Sequence, residues 1–124
     1  MITAASLVRM DTIEGPQIEY SWTVNRKTQD IFSKRGLVQL YTISTMNAAS
    51  VPRMIQYDKG TCLISLRNSS EEGTTLLALL LNKDTSQEAQ TVLWKKVRML
   101  HGRLKTVEKL TRALDKLVND QQAN

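Results

Sequence analysis

The residues in this chain that could carry out chemistry are few and far apart. Among 124 residues there is one histidine, His101, and one cysteine, Cys62. A Ser-His-Asp or Cys-His arrangement would have to rest on His101, which lies in a basic stretch with no Asp or Glu beside it. Glu71 and Glu72 are adjacent carboxylates in a polar loop, and neighbours in sequence rarely converge on one substrate. The sequence therefore predicts a protein that is not an enzyme.

Binding of a metal or a nucleotide is equally unsupported by the pattern of residues. One Cys and one His cannot form a zinc site, and Cys62 has no partner for an internal disulfide. Neither GxxxxGK[ST] nor GxGxxG occurs, so no loop is built to cradle phosphates. We expect no catalytic residue, no metal and no cofactor. We expect Cys62 to be a small core residue.

Composition and charge bound the class of protein. The chain is 41% hydrophobic and 23% charged, as is ordinary for one globular domain. We expect a single domain over residues 1–120 and a frayed tail over 121–124. The unpaired Cys62 suits the reducing cytoplasm, and the first residues lack the basic and apolar regions of a signal peptide. We expect a cytoplasmic protein, with peripheral contact at a membrane surface left open.

The first half of the chain predicts a hairpin and then a helix. Residues 3–10 and 17–23 have strand character, and Gly15-Pro16 lies in the turn between them. Asn25 can cap a helix that continues to about residue 47. The stretch LVQLYTIST within it is rich in β-forming residues, so a strand is the competing interpretation there.

Three further strands are predicted at residues 53–57, 61–67 and 74–81. The second would place Cys62, Ile64 and Leu66 on one face and Leu63, Ser65 and Arg67 on the other. The third, TTLLALLL, is apolar on both faces. A strand of that kind is normally covered on both sides. We therefore expect it at the centre of a sheet with a helical layer above and below.

The last part of the chain has the strongest helical periodicity. Thr85 and Glu88 fit a capping box, and helical character then continues to about Asn119. A helix of about 34 residues would span roughly 51 Å, whereas a strand of six to eight residues spans roughly 20–27 Å. Such a helix either breaks near Gly102 or projects beyond the sheet. Its periodic positions recur in steps of four and three, with Thr111 as the one polar member among Leu93, Val97, Leu100, Leu104, Val107, Leu114 and Val118.

Together these elements predict an α/β (α+β) fold: a five-stranded, mainly antiparallel sheet with helices on both faces, in the order β-β-α-β-β-β-α. This arrangement resembles the longin domain, and is similar to the related roadblock architecture. The Gly15-Pro16 turn followed by QIEYSW looks like the first hairpin of such domains, and TTLLALLL matches their buried central fifth strand. The resemblance implies a non-catalytic interaction module that serves as a scaffold or regulator for small GTPases or membrane-trafficking complexes.

Two surfaces are predicted to contact a protein partner, which would be a small GTPase, another longin- or roadblock-like subunit, or a second copy of the chain. A short exposed strand leaves unpaired backbone groups that another strand can complete, giving a symmetric dimer or a heteromer. The periodic apolar positions of the last helix either form a seam with a second chain or pack on the protein's own sheet. The candidate residues are Arg53, Ile55 and Tyr57 on the strand and Leu104, Val107, Leu114 and Val118 on the helix.

The net charge of +5 supports an alternative function. Much of it lies on the last helix, whose basic face would include Lys95, Lys96, Arg103 and Lys109. That face could bind an anionic membrane or a nucleic acid, or could simply be solvated. The sequence lacks the paired aromatics of an RNA-binding sheet, and Tyr20 and Trp22 are better explained by burial under a helix together with Ile18 and Val24. Nucleic acid is therefore the weaker of the two ligands.

Overall fold

The computed structural model describes residues 1–11, 13–24, 36, 38, 39, 42, 53–57, 60–69, 73–104 and 106–122. Within this part of the chain five strands form one antiparallel sheet in the order β2-β1-β5-β4-β3. The strands are β1 (Ile2–Asp11), β2 (Gly15–Thr23), β3 (Arg53–Tyr57), β4 (Gly60–Ser69) and β5 (Gly73–Asn82). Two helices follow them, α1 (Gln87–Arg103) and α2 (Val107–Gln122).

The predicted central strand is confirmed. β5 lies in the middle of the sheet, paired with β1 on one side and β4 on the other. Every side chain from Leu76 to Leu81 is at most 1% exposed, so both faces of the strand are dry. Burial of six consecutive residues, five of them leucine, makes β5 the largest contributor to the apolar cores on the two faces of the sheet.

Each face of the sheet carries its own apolar cluster. The first face lies under the two helices, and Leu63, Leu77 and Leu79 pack there with Val97 of α1 and Leu114 of α2. The second face carries a separate cluster whose core members are all 0% exposed: Ala4, Val8, Cys62, Ile64, Leu76, Ala78 and Leu80. The predicted division of β4 is thus confirmed, since Cys62 and Ile64 lie on the opposite face from Leu63.

The last helix is broken, which decides between the two alternatives left open by its length. α1 ends at Arg103, because its C-cap Leu104 has an extended backbone (φ −87°, ψ 112°) that cannot continue a helix, and α2 begins at Val107. The Thr106 hydroxyl accepts the Lys109 N–H at 3.2 Å and so caps the new helix. The break lies two residues after Gly102. Each half now fits on the sheet.

Two predicted details of the helices need correction, and a third lies mostly outside the described residues. The N-cap of α1 is Ser86, whose hydroxyl accepts the Ala89 N–H at 3.1 Å, and not Thr85. Both described helices lie on the same face and follow all five strands. The helix predicted to continue to residue 47 falls almost wholly outside the described residues, of which Gly36, Val38, Gln39 and Thr42 are helical.

The β1–β2 hairpin contains an irregularity that the sequence did not predict. Leu7 pairs with Tyr20, but Val8 pairs with Ile18, so Glu19 is an extra residue in β2. This β-bulge moves Ile18 to the second face, away from Tyr20 and Trp22, because it interrupts the alternation of side chains. Tyr20 and Trp22 pack against the core under the helices, as predicted.

The end of α2 holds the start of β1 in place. The Gln121 side-chain amide accepts the Ile2 N–H at 2.8 Å and donates to the Ile2 carbonyl at 2.7 Å. One side chain therefore satisfies both backbone groups of Ile2, the first residue of β1. The helix continues to Gln122, two residues past the predicted boundary at residue 120.

Candidate interaction surface

The sheet has two outer strands, β2 and β3, and they differ in how well their open edges are protected. β2 carries a proline near its start, Pro16, and a bulge at Glu19. Glu19 also forms an ion pair with Arg9 at 3.1 Å. Proline, bulges and charges are the usual devices that stop an edge strand from pairing with another chain. β2 is therefore a poor template for an added strand.

The edge at β3 has fewer of these devices. Its five residues, RMIQY, contain neither proline nor glycine, and its pairing with β4 is regular from Arg53 to Tyr57. In the described residues no strand lies on its outer side. The row of outward backbone groups on β3 is the feature that a partner strand would complete.

The side chains of β3 divide between a core contact and an exposed surface. Ile55 is half-buried and packs against the apolar cluster of the second face. Met54 is 41% exposed, and Gln56 is exposed as well. Arg53 and Tyr57 belong to β3 by their backbones, while their side chains lie outside the described part of the structure. Among the described side chains of β3, Met54 is thus the apolar one that is exposed to solvent, and the sequence pattern did not predict it.

A polar cleft of about 460 Å³ adjoins β3 on the face that carries the helices. It lies between the end of the sheet and the start of α1. Its lining includes Thr61, which is only 4% exposed and whose hydroxyl has no hydrogen-bond partner among the described residues. The cleft is lined by Gln56, Gly60, Thr61, Lys83, Thr85, Gln87 and Gln90. A partner strand on β3 would find polar groups for its side chains beside the edge.

The apolar positions of the predicted helical seam pack on the protein's own sheet. Leu114 is 1% exposed and Val118 is 0% exposed, because both pack on the protein's own sheet. Leu104 and Val107 are half-buried against the same cluster. The second alternative for these residues, packing within the chain, is the one observed. Leu114 and Val118 are therefore closed to a partner in this conformation, whereas contact through the half-buried Leu104 and Val107 stays a prediction.

The predicted basic residues are all on the surface. Lys95, Lys96 and Arg103 are exposed on α1, and Lys109 is exposed on α2. None of the four belongs to an ion pair within the described residues. The charge is unevenly shared, since α1 has four Lys or Arg against one Glu, whereas α2 has three against three acids. The positive field of the helical layer comes from α1.

His101 occupies a buried site that periodicity alone did not predict. It lies on the inner side of α1, only 1% exposed, between two hydroxyls that belong to the sheet. Its Nδ1 is 2.6 Å from the Ser65 Oγ and its Nε2 is 2.8 Å from the Thr75 Oγ1. Burial, with a smaller contribution from the charge of Arg67, lowers the pKa of His101 from 6.5 to about 4. The imidazole is neutral at pH 7, with one nitrogen donating and the other accepting.

Arg67 completes this cluster and marks the end of α1. Its Nη1 donates to the His101 carbonyl at 2.5 Å and to the Leu104 carbonyl at 3.2 Å. Carbonyls at the end of a helix lack partners within it, and a cation there also complements the helix dipole. Arg67 therefore stabilises the point at which α1 ends and the chain turns toward α2. The Arg67–His101 cluster (Ser65, Arg67, Thr75 and His101) anchors α1 to β4 and β5.

The Arg67–His101 cluster contains hydroxyls and an imidazole, the side chains that serve as nucleophile and base in enzymes. It is, however, closed to a substrate. Ser65 is 5% exposed and Thr75 is 5% exposed, so no substrate can reach either hydroxyl in this conformation. Neither imidazole nitrogen is bonded to a carboxylate. The described residues also contain no group of three or more His, Cys, Asp or Glu side chains placed to hold a metal ion. The cluster is a structural anchor.

Two further findings do not concern a particular site. In the described part of the chain, no helix combines the length and the apolar character required to cross a membrane. Comparison of the chain with models of known protein families, with characterised proteins and with solved structures finds no match.

Proposed function

We propose that this protein is a non-catalytic, longin-like interaction module that acts as a scaffold or regulator for small GTPases or membrane-trafficking complexes. The observation that carries the proposal is the edge of β3, beside which the described residues place no further strand, on a sheet whose centre is fully buried. The partner is a small GTPase or another longin- or roadblock-like subunit, and pairing with a second copy gives a homodimer.

The architecture supports the longin-like part of the proposal. The hairpin at the start, the meander β3-β4-β5 and the buried central fifth strand follow the pattern on which the resemblance rests. The helix predicted between β2 and β3 is also part of that pattern, and the four described residues of this segment are helical. We propose a helix between β2 and β3 on the second face, opposite α1 and α2, as the sequence predicts.

The β3 edge supports the interaction part. Addition of a strand there would use main-chain hydrogen bonds for affinity and neighbouring side chains for specificity. Met54 supplies an exposed apolar contact on the helical face, and the polar cleft beside Gln56 supplies hydrogen-bonding groups. β2 is the longer strand, but its proline and bulge make it the less suitable edge.

Affinity capture with matched edge variants tests the proposal. A lysine on an edge strand opposes pairing with another strand, and Met54 is exposed enough for Met54→Lys to leave folding intact. Ser21→Lys is the matched control, because Ser21 is an exposed residue of the other edge strand. Both variants and the parent chain are immobilised and exposed to lysate of the source organism, and the retained proteins are identified by mass spectrometry.

We expect small GTPases or longin- or roadblock-like subunits to be retained by the parent chain and by Ser21→Lys. Their recovery should fall at least tenfold on Met54→Lys, while thermal unfolding of both variants stays close to that of the parent. Equal recovery on Met54→Lys and the parent would remove β3 from the interface. Retention of metabolic enzymes or ribosomal proteins alone would contradict the proposed function.

A further inference from the structure

The outer side of α1 carries apolar side chains where a solvated helix should be polar. Val97 and His101 mark the inner side of the helix, where both are buried. Val92 and Met99 lie seven residues apart, which places them on one ridge of the helix, directed away from the sheet. Val92 is 65% exposed and Met99 is 49% exposed. We call Val92, Lys95, Lys96, Met99 and Arg103 the outer ridge of α1.

Cationic side chains surround the two apolar ones. Lys96 lies four residues after Val92, and Arg103 lies four residues after Met99, so both continue the same stripe. Lys95 stands beside them, and all three cations are exposed. Glu88, the one acidic residue of α1, lies four residues before Val92 on the same stripe, at the start of the helix. The outer ridge combines a small apolar centre with a strongly positive rim.

We propose that the outer ridge docks this protein on the surface of an anionic lipid bilayer. Val92 and Met99 insert at the boundary between headgroups and acyl chains, and the lysine and arginine side chains extend sideways to anionic headgroups. This is a peripheral attachment with α1 parallel to the membrane plane. It adds a location to the proposed interaction module and does not depend on the identity of its protein partner, since β3 and the outer ridge use different residues.

The shape of the ridge favours a bilayer over an acidic protein. A specific protein interface buries roughly 800 Å² on each partner and places its central anchors in fitted pockets. Val92 and Met99 stand on the convex outside of a helix, and a fluid lipid surface can surround a convex ridge without a preformed pocket. A second copy of the chain is a poor occupant, because two ridges of the same positive charge repel each other.

Vesicle co-sedimentation with the 124-residue chain tests the proposal. The probes are large vesicles of phosphatidylcholine containing 30% phosphatidylserine, and vesicles of phosphatidylcholine alone, at about 0.1 M salt. Lys95→Gln with Lys96→Gln removes two ridge charges. Val92→Ser with Met99→Ser removes the apolar centre. Lys109→Gln with Lys116→Gln is the matched control, since it removes the same charge from exposed positions of the electrically balanced α2.

We expect binding to the anionic vesicles and none to the neutral ones. Loss of the two ridge lysines should weaken partitioning roughly 30-fold, as about fivefold per cation near an anionic surface implies. Loss of the apolar centre should weaken it about tenfold or more. The α2 control should weaken it less than threefold. Thermal unfolding of every variant, measured alongside, should match that of the parent because all six positions are exposed.

Several results would overturn the proposal. Absence of binding to anionic vesicles, or equal binding to neutral ones, would exclude an anionic bilayer as the ligand. An equal effect of the α1 and α2 lysine pairs would show a response to net charge without a docking face. Unchanged binding of the Val92→Ser, Met99→Ser variant would show that nothing inserts, and would favour an acidic protein or another soluble polyanion as the ligand.

Discussion

The stability of the fold should decrease as the pH is lowered through a window set by His101. The imidazole is held neutral between Ser65 and Thr75, and its pKa is lowered to about 4. In the unfolded chain the pKa returns to about 6.5. Between these values the unfolded state binds a proton that the folded state does not. The free energy of unfolding is therefore unaffected by His101 above pH 6.5 and declines as the pH falls from 6.5 to 4.

The size of the effect follows from the two pKa values. A shift from 6.5 to about 4 corresponds to about 3 kcal/mol of lost stability at pH 4. Carboxylates also titrate in this range, so the parent chain needs a reference in which only His101 is changed. His101→Gln provides it, because a glutamine amide retains one donor and one acceptor for the two hydroxyls but does not titrate.

The free energy of unfolding of both proteins is measured by urea denaturation between pH 7 and pH 4. The quantity of interest is the difference between the two free energies of unfolding at each pH, and not their absolute values. We expect that difference to change by about 3 kcal/mol across the window, with the parent chain losing more stability toward pH 4. Parallel curves for the two proteins would refute the argument, since they would mean that His101 titrates alike in both states.

Three further predictions concern the core and two turns. Leu114→Lys should unfold the protein or lower its stability by at least about 4 kcal/mol, because the side chain is 1% exposed; a folded variant by circular dichroism would contradict the placement of α2. Gly60→Ala should cost about 3 kcal/mol or more, since its Cβ would stand 1.8 Å from the Leu81 carbonyl oxygen at a φ of +147°. Gly15→Ala, with a φ of +81° and open space, should cost only about 1 kcal/mol, and equal losses of melting temperature for the two would be inconsistent with this geometry. Burial raises the pKa of the Cys62 thiol to about 12, so a disulfide reagent at pH 8 should label it only after denaturant is added; rapid labelling of the folded protein would show that the second face opens.

The centre of the sheet could be predicted because its signal lies in one short stretch. TTLLALLL is apolar at successive positions, and burial on both sides is the arrangement that avoids exposing one set of leucines. The two faces of β4 could be predicted for a similar reason, because successive side chains of a regular strand point to opposite faces. The position of Ile18 was not predictable in this way. A single extra residue, Glu19, reverses the alternation, and the sequence carries no local sign of it.

The helical layer shows where periodicity is ambiguous. The steps of four and three from Leu104 to Val118 fit a seam with a second chain as well as packing on the protein's own sheet, and only burial separates the two. The periodic positions lie on the buried side of α1, so the pattern gave no indication of the exposed Val92 and Met99. His101 was missed for another reason, because its partners Ser65 and Thr75 lie 36 and 26 residues away in sequence.

Amide hydrogen exchange of the chain, alone and with its captured partner, tests most directly the claim that association occurs by strand addition at β3. If a partner strand completes the sheet, exchange of the outward amides in Arg53–Tyr57 should slow at least tenfold, while exchange across Gly15–Thr23 stays the same. Protection confined to β2, or unchanged exchange at β3 in a saturated complex, would contradict the account.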